Sequence, residues 1–191
     1  EMSSCDWSSD VCSSDLFGRN AGGTDEERRR RAKIINFSLI YGASAFSLAR
    51  ELETSTREAQ EYIDKYYERF PGVKAYLEGL VASAASRGYA ETLFGRRRPV
   101  PELKQSDRTA RDAGRRIALN MPIQGTAADI MKKAMIAAGA ELGRRALAAR
   151  MILQVHDELV FEAPEKERSI LDGLVRNVME SACPGFRVPL K

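Results

Sequence analysis

Arg29, Lys33, Phe37 and Tyr41 stand four residues apart, the interval at which side chains line one stripe of a helix. Each step of four carries the chain about 40° past a full turn, so the set spans roughly 120° of arc. Two cations come first, then an apolar ring, then a phenol. Cations near a helix start oppose its dipole, so their benefit has to come from elsewhere. A triphosphate lying along the stripe would supply it, with its sugar and base reaching the two rings. A surface helix that turns a Phe and a Tyr into a core gives the same spacing, and spacing alone does not choose between them.

A second set, Arg116, Asn120 and Gln124, again steps by four and runs into Gly125-Thr126-Ala127-Ala128-Asp129. Asn and Gln suit the acceptors of the DNA minor groove, whose pattern barely distinguishes one base pair from another. Such degeneracy serves a protein that must test pair geometry without reading sequence. The same two residues at a helix break would also satisfy loop backbone. A third set is His156-Asp157-Glu158, a polar turn between two apolar segments that would hold Asp157 rigidly. Acidic hairpin turns are ordinary, and a single His beside a strand has packing as its commoner role. Arginines at 96–98, together with Arg111 and Arg115, fit phosphate contacts or a solvated surface equally well.

The elements that must position these groups follow from periodicity and punctuation. Thr24, followed by Asp25, Glu26 and Glu27, predicts an N-cap for a helix running to Tyr41 and stopped by Gly42. Further helices are predicted over about 44–52, 55–70 with a capping box of Ser55 and Glu58, and from Pro71 to a stop at Gly88. A short hairpin follows, 89–93 with 97–100. Two helices, 106–120 and 125–148, are separated by a break at Pro122 and Gly125. Strands 151–155 and 159–163 flank the His-Asp-Glu turn, a last helix covers 165–182, and the final residues begin another extended segment. The expected class is α+β, mostly helical.

With 191 residues, 43% of them hydrophobic, the chain can bury one core and a smaller second lobe. The net charge of +3 is uneven: residues 1–27 carry −6 and the remainder +9, which suits a polyanionic partner or a set of solvated helix faces. Residues 1–19 repeat a Ser-Ser-Asp theme (SSCD, SSD, SSD) without apolar periodicity and resemble a translated adapter more than a domain. No membrane-spanning run or signal peptide is evident, and no CxxC pair occurs among the three cysteines, so a cytoplasmic setting is expected.

The string RRRRAKIINFSLIYG resembles the nucleotide-binding helix in the fingers of the DNA polymerase I family, family A, which usually has glycine where Ser38 stands. NMPIQGTAADIM resembles that family's primer-end segment, and QVHDE its second catalytic-aspartate motif. The resemblance covers about residues 28–190. The resemblance implies fingers helices and part of an antiparallel palm sheet of a right-hand polymerase, with fingers at 24–105, partial palm at 106–191, and residues 1–23 outside both. Its implied substrates and partners are primer–template DNA and dNTPs, with two Mg2+ ions as cofactors and a monomer as the working unit. By resemblance Arg29 and Lys33 hold the triphosphate, Phe37 packs on its sugar and base, and Tyr41 guards the template-base position. Asp157 binds metal, Glu158 assists and Lys33 joins them as a catalytic group. Arg111, Arg116, Asn120, Gln124 and His156 contact DNA. Asp6, Asp10 and Asp15 do not match the family's first metal-binding aspartate, so this chain by itself is expected not to extend a primer. Two other readings are a non-catalytic DNA-binding helical module and a metal-dependent nuclease centred on His156-Asp157-Glu158.

Overall fold

A computed structural model describes residues 24–187, 189 and 190. The fold is α+β and mostly helical, with two small antiparallel sheets. Its described residues form two compact units, one made of residues 24–91 and 97–122, the other of 92–96, 123–187, 189 and 190. The division therefore falls after Pro122, which leaves the helix over 108–120 with the preceding helices.

In the first unit, α1 covers Asp25–Ile40. Thr24 caps it and Glu27 reaches back to the Thr24 N–H, a complete capping box. The box predicted at Ser55 is only half made. Ser55 accepts from the Glu58 N–H, but the Glu58 carboxylate instead accepts hydroxyls from Thr54 and Tyr62. Those bonds hold the Glu58 carboxyl below its ordinary pKa, the Thr54 hydroxyl contributing most.

α1 ends in a Schellman arrangement: the Gly42 N–H bonds to the Leu39 carbonyl and the Ala43 N–H to that of Ser38. Gly42 has φ 76°, and a Cβ there would stand 2.5 Å from Leu119 Cδ1. Both facts require glycine. α2 (Ala45–Leu52), α3 (Thr56–Arg69) and α4 (Pro71–Arg87) follow as predicted to within two residues. Ile35, Leu39, Leu48, Ala49, Leu52, Ala59, Ile63 and Tyr66 form one core, joining α1 to α2 and α3. A second cluster gathers Ala84, Ala90, Val100, Ala118 and Met121 from α4, the β1–β2 pair (Tyr89–Glu91 with Arg97–Pro99), the segment after β2, α5 (Arg108–Asn120) and the residue that ends it.

The predicted break at Pro122 and Gly125 is absent. Met121–Gly125 form a π-helical turn that leads straight into α6 (Thr126–Arg144). A π-turn absorbs the N–H that proline lacks without ending the helix, and such turns concentrate at functional sites.

In the second unit α6 stops four residues short of the predicted 148 because Ala146 takes a left-handed φ of 48°. The freed N–H groups of Ala148 and Ala149 are then accepted by the Glu167 carboxylate, at 3.2 and 3.0 Å. β3 (Arg150–Val155) pairs antiparallel with β4 (Glu158–Glu162), with a bulge between Met151 and Leu153. A 3-10 turn, Glu165–Glu167, precedes α7 (Arg168–Glu180), which is therefore shorter than the predicted 165–182.

Candidate functional site

The stripe on α1 forms as its spacing predicts, and it does not face the core. Ala32, Ile35 and Leu39 are the buried residues of this helix, and they lie on the opposite side from the stripe. Arg29 and Lys33 are exposed, Phe37 is 45% exposed and Tyr41 is half-buried. Phe37 and Tyr41 stack with ring centroids 6.5 Å apart and planes inclined by 21°, and Lys33 Nζ sits 5.9 Å from the Phe37 centroid. The alternative of a core-facing Phe is thereby set aside. Two polar bonds missed in the sequence hold the helix: Tyr66 donates to Asn36 Oδ1 at 2.7 Å, and Ser38 donates to Glu51 Oε2 at 2.6 Å. The second uses the residue that departs from the family's glycine.

On α5, Arg111 is engaged locally, donating to the Gln105 carbonyl at 3.1 Å and to that of Ser106. Arg116 is exposed. Asn120 has a buried Oδ1 with no hydrogen-bond partner among the described residues. Gln124, in the π-turn, is exposed.

The acidic turn is tighter than predicted. Glu158 already belongs to β4, opposite Val155, so His156 and Asp157 alone form the turn. His156 takes a φ of 53°, the positive value that primed two-residue hairpin turns require. The Gln154 side-chain amide steadies it, donating to the His156 carbonyl at 2.8 Å. His156, Asp157 and Glu158 are all exposed. Asp157 also borders a cleft of about 450 Å3 lined by Met131, Ala134, Val175 and Met179 of α6 and α7. Asp157 and Glu158 offer carboxylate oxygens, the donors magnesium takes. Among the described residues, however, no group of three or more His, Cys, Asp or Glu side chains is placed to hold a metal, so these residues alone do not make a complete site.

The arginine run divides. Arg97 pairs with Glu91 at 3.2 Å and, with Arg87, flanks the Tyr89 ring at 4.7 and 4.9 Å. Arg96 turns toward α6, where Nε meets Asp129 Oδ1 at 2.7 Å and Nη2 meets the Gly125 carbonyl at 2.9 Å. Burial pushes the Asp129 carboxyl up, but the Thr92 hydroxyl, the Arg96 bond and charge, and the Lys132 charge bring it below its ordinary value.

A cationic-aromatic helix stripe, a π-turn bearing an amide and an aspartate on a hairpin turn thus occupy the three segments that carry the family resemblance. The chain belongs to DNA polymerase family A, whose pattern matches residues 10–191. That match starts inside the Ser-Ser-Asp stretch, and residues 1–23 lie outside the described residues. The chain is 47% identical over 177 residues to DNA polymerase I of Bacillus caldotenax, covering 93% of this chain and 20% of the relative. It is 50% identical over 163 residues to DNA polymerase I of Bacillus subtilis strain 168, covering 85% and 18%. It thus spans about a fifth of the length of the curated relatives it matches. The POL domain of Pol1 from M. smegmatis, solved in complex with DNA primer-template and dNTP, superimposes with a TM-score of 0.85 at 45% identity, covering 94% of this chain and 32% of that one. Among the described residues, no helix is long and apolar enough to cross a membrane.

Proposed function

We propose that this chain carries part of the nucleotide- and DNA-binding machinery of a DNA-directed DNA polymerase acting in replication and repair, as a monomer in the cytoplasm. The reaction is attack of a primer 3′-hydroxyl on the α-phosphate of a dNTP, with release of pyrophosphate. The observation that carries this reading is the outward stripe of α1, a cation and two stacked rings aligned on a helix whose opposite face is buried. The family match and the likeness to a polymerase domain solved with primer–template and dNTP support it over a simple binding module or a nuclease.

In this reading residues 24–105 correspond to fingers and 106–191 to part of a palm. Arg29 and Lys33 bind the triphosphate, and the Lys33 ammonium offsets the charge that develops on the departing pyrophosphate. Phe37 lies against the sugar and base, and Tyr41 closes the template-base position. The side-chain amides of Asn120 and of Gln124, the latter exposed, would each donate to acceptors of the primer-terminal base pair. Arg116 and His156 would each contact DNA, and Arg111 adds its charge from the place its backbone bonds fix. Asp157, assisted by Glu158, would hold a divalent ion such as Mg2+ with carboxylates from outside the described residues. The ion would supply charge neutralisation at the reacting phosphate.

Replacing Lys33 with Ala in the full-length protein should raise the KM for dNTP and lower kcat, while affinity for primer–template changes little. Equal loss of DNA affinity would place Lys33 on the duplex and refute the orientation of α1.

A further inference from the structure

Gln124 can test a base pair only if its backbone is held still, and the turn that carries it is intrinsically weak. Pro122 removes an N–H from the helical ladder, and Gly125 is the least favourable ordinary residue in a helix interior. The support comes from residues 92–96. Among the described residues, Thr92 and Thr126 are the two buried polar ones, 5% and 4% exposed. The Leu93 N–H donates to Thr126 Oγ1 at 3.0 Å, and the Arg96 N–H donates to Thr92 Oγ1 at 3.1 Å. From that anchored segment one guanidinium bonds at once to Asp129 Oδ1 and to the carbonyl of Gly125, the residue next to Gln124. The Asp129 side chain is only 12% exposed, so the pair is shielded on that side.

We infer that Arg96, held by Asp129, Thr92 and Thr126, is a positioning clamp that fixes the π-turn and so sets how strictly Gln124 discriminates paired from mispaired primer ends. A planar fork is essential to this role, because a single rigid group must reach two acceptors on successive turns. Lysine retains the charge toward Asp129 but cannot span both. This assignment separates Arg96 from the two arginines that follow it: its guanidinium serves the turn rather than a DNA phosphate. The inference rests on the reading of Gln124 given above.

The test compares kcat/KM for extension of matched and mismatched primer ends by the full-length protein and its Gln124→Ala, Arg96→Lys, Arg96→Ala and Arg96→Ala/Gln124→Ala variants. Melting temperatures of all variants are measured alongside. Gln124→Ala should lower the matched-to-mismatched ratio. Arg96→Lys should lower it by a similar factor, on the order of tenfold, since displacement of a positioning group by about 1 Å has effects of that size or larger. The double variant should be no worse than Gln124→Ala alone, and the KM for dNTP should not move. If Arg96→Lys keeps the full ratio, or if the two substitutions multiply, the clamp is refuted while the role of Gln124 stands. If Gln124→Ala leaves the ratio unchanged, both assignments fall together. Arg96→Lys also keeps the result decisive should Arg96→Ala fail to fold.

Discussion

The helical unit carrying α1 and the unit carrying the β3–β4 hairpin hold their candidate functional side chains in opposite ways. α1 presents its stripe to solvent while Ile35 and Leu39, 0% and 1% exposed, lock its other face into a core shared with α2 and α3. Asp157 sits on a two-stranded hairpin whose apolar residues are largely uncovered: Ile152 is 59% exposed and Leu153 56%. An isolated two-stranded hairpin is marginal in water. The proposed nucleotide-binding stripe is therefore preformed by its own unit, whereas the proposed metal-binding carboxylate has local turn geometry but little packing from the described residues. Binding and chemistry should accordingly separate under mutation.

The sharpest test is Asp157→Ala in the full-length protein. Primer extension should fall by about 10³-fold or more, the size of loss seen when a main source of transition-state charge stabilisation is removed, with DNA affinity retained in a gel-shift titration. Parallel loss of affinity would make Asp157 structural and erase the contrast.

Next in size, Phe37→Tyr should raise dideoxynucleotide incorporation relative to deoxynucleotide. Phe37 is accessible beside Tyr41, and its apolar edge offers no polar contact where a missing 3′-hydroxyl leaves a gap. A new phenol would supply one, and a single such contact can shift discrimination by about 10²-fold or more. Competition of paired substrates on one template measures the ratio; no change would move Phe37 away from the sugar.

Gly42→Ala should destabilise the helical unit by about 2–3 kcal/mol, combining a left-handed alanine with overpacking against the buried Leu119. Chemical denaturation of the chain reads this directly, and a neutral result would mean that the helix end relaxes freely. In the same chain, amide exchange should be slower at Ile35 and Leu39 than at Ile152 and Leu153, by about 1–2 kcal/mol of opening free energy. Equal protection would break the comparison.

The smallest effect concerns pH. The Asp129 carboxyl lies below its ordinary value in the folded chain. A depressed folded pKa contributes stability above the unfolded pKa and loses it as pH falls through the folded value. The stability difference between wild type and Asp129→Asn should thus stay constant from pH 8 to about 5, and shrink only below about pH 4. A difference that varied across the neutral range would mean that Asp129 is not held ionised by Arg96 and Thr92.

Local chemistry was legible in the linear chain. Four-residue steps determined the stripe on α1, Thr24 its start and Gly42 its end, and apolar segments around His156-Asp157 determined the hairpin, because each is set by contacts within a few residues. Tertiary structure decided what those local rules leave degenerate. Which side of α1 is buried depended on α2 and α3 supplying the partner core. Pro122 became a π-turn rather than a break, where segment 92–96 supplies Arg96 to the Gly125 carbonyl. Ala146 ended α6 without a glycine, and Glu167, about twenty residues on, accepts the N–H groups that follow. Arg96 parted from Arg97 for the same reason: identical neighbours in sequence face different acceptors, and only the fold brings Asp129 within 2.7 Å of one of them.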